Sequence, residues 1–208
     1  DEVGRVAEEG AAIHVALGNS DFLGQQGMVS IAALQGLSGL MNLAAAYDTP
    51  PFITVGDPTL YLLTDHQLRD AYVRLANIQN YKPGFVQYLP AGPMLYAAMA
   101  ATLTYDEAVG TNINLGSFDQ EVTFLTDAAV RKNVKVLGGA ASATGIAALA
   151  PAMPRDRLIM GETLFAGGAE TKERSVFWAS LKVQDLLRWL VAVAIIAVAG
   201  ASLLGLGG

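Results

Sequence analysis

The residues in this chain whose types could do chemistry stand mostly just after short apolar runs. Asp57 lies in Gly56-Asp57-Pro58, Ser117 in Gly116-Ser117-Phe118-Asp119, and Glu162 in Gly161-Glu162-Thr163. Two carboxylates and a hydroxyl brought to one rim would make a hydrogen-bonding pocket for a small polar ligand. Gly138 and Gly139 head the stretch Gly138-Gly139-Ala140-Ala141-Ser142-Ala143-Thr144-Gly145. At a helix start its backbone amides could hold a phosphate. The stretch has neither GxGxxG spacing nor the GKT/S ending of a phosphate-binding loop, and Gly18 to Gly27 (GNSDFLGQQG) has no lysine. Tight βα turns and helix N-caps call for the same residue types, so a purely structural reading stands beside the pocket. Glu162 is the acid least explained by turn geometry; a cap or an ion pair with Lys172 or Arg174 is its alternative.

Catalytic sets are missing. His14 falls on a strand-like run and His66 on a helical one, with no HxxxH or HExxH around either, so zinc chemistry has no support. No GxSxG elbow occurs. With no cysteine, disulfides, thiolate metal sites and a cysteine nucleophile are excluded. No catalytic residue, metal or cofactor is assigned on these grounds. A net charge of −6, with 13 basic residues scattered along the chain, argues against a nucleic-acid partner.

The elements that must position these residues alternate regularly. Apolar runs fall at Ile13 to Leu17 (IHVAL), Phe52 to Val55 (FITV), Phe85 to Leu89 (FVQYL), Asn112 to Leu115 (NINL), Val134 to Leu137 (VKVL) and Arg157 to Met160 (RLIM). Such short, largely unbroken runs predict strands buried on both faces of a parallel sheet. Between them, helical patterns cover Met28 to Tyr47, Thr59 to Ile78, Met94 to Ala108, Glu121 to Lys132 and Ala143 to Ala150. Asp48-Thr49-Pro50-Pro51 stops the first of these, because proline cannot continue a helix. Alternating β and α with short connections predicts an α/β fold. The expected form is a three-layer, Rossmann-like sandwich with a mostly parallel sheet of about six strands. Strand order is not legible at this level.

The chain then changes character. Residues 189–208 carry no charge over 20 positions, long enough at 1.5 Å per residue to cross about 30 Å of hydrocarbon. Arg188 and Trp189 stand where interfacial anchors belong, and Lys172, Arg174 and Lys182 lie upstream. The expected organisation is an α/β domain at 1–169, a charged, amphipathic helical lead-in at 170–188 and a C-terminal transmembrane helix at 189–208. The positive-inside bias puts the α/β domain on the cytoplasmic side of the cell membrane. Ala197, Ala201 and Gly205 recur every four residues and offer a helix-association face, although such spacing also arises in any Ala-rich span.

Several stretches carry a family resemblance: DEVGRVAEEGAAIHVALG, AAAYDTPPFITVGDPTL, TNINLGSF, and LIMGETLFAGGA leading into SLKVQDLLRWL. Through them the chain resembles an uncharacterised bacterial family of membrane-anchored α/β domains, catalogued as a domain of unknown function. The resemblance runs over nearly the whole length and implies architecture and anchoring, but no activity. The family pattern includes another transmembrane segment ahead of the domain, so it also implies that the protein's N-terminus lies upstream of Asp1.

Two functions fit these observations. The first is a non-enzymatic scaffold or structural subunit, in contact with membrane lipid, whose α/β domain assembles with itself or with a membrane-complex partner. The second is a membrane-tethered domain, possible enzyme included, that binds a small ligand or nucleotide on the strand-end rim through Asp57, Ser117, Gly138, Gly139 and Glu162.

Overall fold

The structure, a computed structural model, describes residues 8, 10–19, 22–24, 26–47, 51–106, 108–154, 157–160 and 188–196. The chain divides into two units, Asp1–Thr171 and Lys172–Gly208.

In the first unit, strands and helices alternate. The order is β1 (Ala12–Gly18), α1 (Gly27–Tyr47), β2 (Phe52–Val55), α2 (Pro58–Arg74), β3 (Val86–Tyr88), α3 (Pro93–Asp106), β4 (Val109–Ser117), α4 (Val122–Arg131), β5 (Lys135–Ala140), α5 (Ala143–Leu149) and β6 (Leu158–Met160). Single 3-10 turns sit at Ile78–Asn80 and Ala150–Ala152. The six strands form one sheet in the order β3-β2-β1-β4-β5-β6, and every pairing is parallel.

Strand alternation divides the core in two. Ile13, Val15 and Leu17 of β1 face α1 and α2, packing with Leu37, Met41, Leu60, Leu68 and Tyr72. Ala16, one pleat over, faces the opposite layer, where Tyr96, Ala97, Val122, Leu125 and Leu149 pack. Each large apolar side chain removed from water there contributes about 1.5–3 kcal/mol. α1 is the one described helix long and apolar enough to cross a membrane; half of its apolar stretch is buried, and it packs on β1, β4 and α2. It behaves here as a sheet-covering helix.

The elements differ from the sequence expectation at their ends. The second helix stops at Arg74, not Ile78, because Ala76 turns to φ +53° and ends the helical run. The NINL run grows into the nine-residue β4, and the VKVL run continues to Ala140. Both extensions pass through glycines and polar residues that hide the strand pattern. They remain strand because β4 is hydrogen-bonded on both sides, to β1 and to β5.

In the second unit residues 188–196 are helical and every one of them is exposed. Trp189, Leu190, Ile195 and Ile196 are each more than 60% accessible. The helix-association residues Ala197, Ala201 and Gly205, and the lead-in up to residue 187, lie outside the described residues.

Candidate functional site

Strand order reverses between β1 and β4, and in open parallel sheets ligands lie at the carboxyl ends of the strands beside such a reversal. The two strand exits are pressed together here. Gly18, at φ +82°, pairs with Ser117, and a Cβ on it would come within 2.8 Å of the Ser117 carbonyl oxygen. Gly116, at φ +152°, leaves no room either, since a Cβ would lie 2.4 Å from the Leu17 carbonyl oxygen. Only glycine combines this backbone with this approach.

The connection after β1 runs eight residues, 19 to 26, before α1 begins, so it is no tight glycine turn onto a helix N-terminus. Its Asn19 and Phe22 bond to residues just after β3 and β2. The Asn19 amide donates to the Ala91 carbonyl, and its side chain lies where a Cβ on Gly56 would be only 2.5 Å away. Asp57 holds the same connection down. Its Oδ1 accepts the Leu60 N–H at 2.8 Å, capping α2, and its Oδ2 accepts the Phe22 N–H at 3.4 Å.

The other expected site residues fall as follows. Ser117 is half-buried at the β1–β4 junction. Gly138 and Gly139 lie inside β5, paired with Asn114 and Leu115 of β4, not in the turn after it. A Cβ at Gly139 would sit 2.9 Å from Ile159, so close strand packing accounts for that glycine. The amide of Gly145 is taken by the Ser142 hydroxyl at 2.9 Å, and Ser142 in turn donates to the Phe118 carbonyl at 2.7 Å. Glu162 lies outside the described residues. Of the five expected residues, then, the structure brings Asp57 and Ser117 to the carboxyl rim, on either side of the β1 exit.

The open part of that rim lies on the β4 and β5 side. A cavity of about 520 Å³ is lined by Pro93 and Met94 at the start of α3, Asp119, Gln120 and Glu121 before α4, and Thr144 in α5. Glu121 is only 8% exposed. Its Oε1 accepts the Asp119 N–H at 3.0 Å, and although it occupies the N-cap position of α4 its side chain makes no cap bond. The helical pattern beginning at Glu121 was visible in the sequence, but its burial was not.

Beneath the rim, between the sheet and α3, runs a buried polar row that composition alone did not reveal. His14, Thr54, Thr104 and Asn112 are fully buried. The Thr104 hydroxyl donates to the Ala100 carbonyl at 3.1 Å, accepts from Asn112 Nδ2 at 3.3 Å and pairs with His14 Nδ1 at 3.2 Å. His14 Nδ1 also lies 3.3 Å from Asn112 Nδ2, and Nε2 pairs with the Thr54 hydroxyl at 3.0 Å. Burial lowers the His14 pKa to about 4. The Tyr96 hydroxyl donates to the Thr54 carbonyl at 3.0 Å and accepts the Gly18 N–H at 3.1 Å, tying α3 to the β1 exit. Its own pKa is pushed up to about 12, chiefly by burial. The clue in the sequence was the placement of His14 and Asn112 within runs otherwise suited to strands.

No cluster of metal-ligating side chains occurs among the described residues. No curated protein and no solved structure matches the chain. The model of a domain of unknown function, DUF6754, matches residues 1–206, and the chain belongs to that family.

Proposed function

We propose that this protein is a membrane-anchored, non-catalytic assembly subunit whose α/β domain holds a second copy or a membrane-bound partner at the membrane surface. The observation that carries the reading is the outer face of α3. From Pro93 to Tyr105 that helix has no charged residue, yet Met94, Leu95 and Met99 are exposed, Leu95 by 59%. A surface helix of an isolated domain ordinarily turns charged or polar side chains outward, and contiguous exposed apolar groups mark contact surfaces. α1, on the opposite face of the sheet, is also free of charge along its 21 residues and exposes Met28, Leu43 and Tyr47.

Anchoring is supported by the uncharged run at 189–208 and by the fully exposed apolar helix at 188–196, which suits a hydrocarbon surrounding. The basic residues upstream of it favour a cytoplasmic α/β domain. The mass of the full chain, solubilised in mild detergent, tests assembly. A multiple of the 21.8 kDa chain mass, or a stoichiometric partner, is expected. A strict monomer without a partner would contradict the reading.

A second reading, a small-ligand-binding domain, is supported by the cavity at the β4 and β5 exits. Its volume lies within the roughly 300–1,000 Å³ range of small-molecule sites.

A further inference from the structure

We infer that Asn112 and Asn114 of β4 hold internal water, at least one molecule bridging their side-chain amides between the sheet and α3. The inference goes beyond both readings above and depends on neither. Two observations lead to it, the unpaired atoms on these side chains and the kind of neighbours around them.

Both asparagines are fully buried on an interior strand, two residues apart, so their side chains leave the same face of the sheet. That face is the α3 side, since Asn112 Nδ2 donates to the Thr104 hydroxyl at 3.3 Å. Asn112 Oδ1 has no hydrogen-bond partner among the described residues, and in Asn114 neither Oδ1 nor Nδ2 has one. Three polar atoms thus stand bare in one stretch of a core where such groups are ordinarily paired, and a buried amide left unpaired is costly.

The two amides do not bond to each other. Residues i and i+2 of a strand are about 6.6 Å apart, a gap that one water closes with a bond to each side chain. Water both donates and accepts, so it offers a proton to Asn112 Oδ1 and a lone pair to Asn114 Nδ2. On the β1 side and on α3 the neighbours are small. Asn114 pairs across the sheet with Ala16, and Ala100, one helical turn from Thr104, belongs to the same cluster as Ala16. The β5 side is closed, since a Cβ on Gly138 would lie 3.0 Å from the Asn114 carbonyl oxygen and 3.2 Å from the Met153 side chain. Charge decides against an ion. The row of His14, Thr54, Thr104, Asn112 and Asn114 has no carboxylate to pair with a cation and no lysine or arginine to pair with an anion. Bridging water extends that bonded row to Asn114, tying β4 to α3 just below the Gly18–Ser117 junction.

The test is made on the full chain in perdeuterated detergent. Water-selective NMR is expected to show cross-peaks from a long-lived water to the side-chain NH2 groups of both Asn112 and Asn114. Asn114→Leu is expected to lower the amplitude of oxygen-17 relaxation dispersion by about one internal water. The first measurement needs no variant, so it decides the matter even if Asn114→Leu does not fold. A water cross-peak missing at either amide of the folded native chain, or an unchanged amplitude in folded Asn114→Leu, would overturn the inference. So would a shift of the two amide resonances when sodium and potassium are replaced by tetramethylammonium, which would assign a metal cation to the place of the water.

Discussion

The imidazole of His14 exchanges water for two threonine hydroxyls, with no counter-charge against it among the described residues. Burial depresses its pKa from 6.5 to about 4, so the unfolded chain takes up the proton first as pH falls. Folding stability is then intact above pH 6.5 and declines through the window down to about pH 4, by up to roughly 3 kcal/mol from this residue alone. Denaturant unfolding at pH 7 and pH 4.5 measures it. His14→Gln is expected to be less stable than the parent at pH 7 but to lose less on acidification; an equal acid loss in both proteins would rule out His14 as the cause. Asp57 gives a second residue-scale expectation. Asp57→Ala should cost about 1–2 kcal/mol, since it removes the α2 cap and releases Phe22, whereas Asp57→Asn should restore most of that. A stable Asp57→Ala protein would mean that the carboxylate is held in reserve for something else.

At the scale of elements, glycines decide how closely strands and helices approach. A Cβ at Gly145 would lie 2.2 Å from the Phe118 carbonyl, so α5 sits almost on the β4 exit. Gly145→Ala should push α5 away and lower stability by about 1–3 kcal/mol, readable as a drop in the unfolding midpoint. No drop would show that α5 moves freely. The six strands were legible in the sequence because most of the runs are apolar over several residues, although the edge strand β6 exposes Ile159 and Met160. FITV coincides with β2, while Asn112 and Asn114 concealed how far β4 extends. Asn112 faces His14 across the sheet and bonds within the buried polar row, whereas Asn114 faces Ala16 and its buried amide has no hydrogen-bond partner among the described residues. The rim cavity was not legible. It forms where α3, the 119–121 turn and α5 converge, and that convergence follows from strand order, which pairwise packing sets and local pattern does not. Gly138 and Gly139 looked like a phosphate turn because a strand that runs through two glycines has no apolar signature.

At the scale of the whole molecule, the chain joins an α/β sheet domain to an apolar segment, and the domain leaves apolar side chains on helices at both of its faces. Absence of cysteine makes topology directly measurable. Lys172→Cys is expected to react with a membrane-impermeant maleimide only after cells are opened, as a cytoplasmic domain requires; labelling of intact cells would invert the orientation. The outer face of α3 is the proposed assembly surface. The most direct measurement is site-specific photocrosslinking from position 95 in native membranes, with a control probe at His66, whose side chain is 76% exposed on α2. The expected result is a discrete adduct from position 95, at twice the chain mass or at the mass of one partner, and none from position 66. A face that yields no adduct at position 95, in membranes where the protein is folded and abundant, would contradict it.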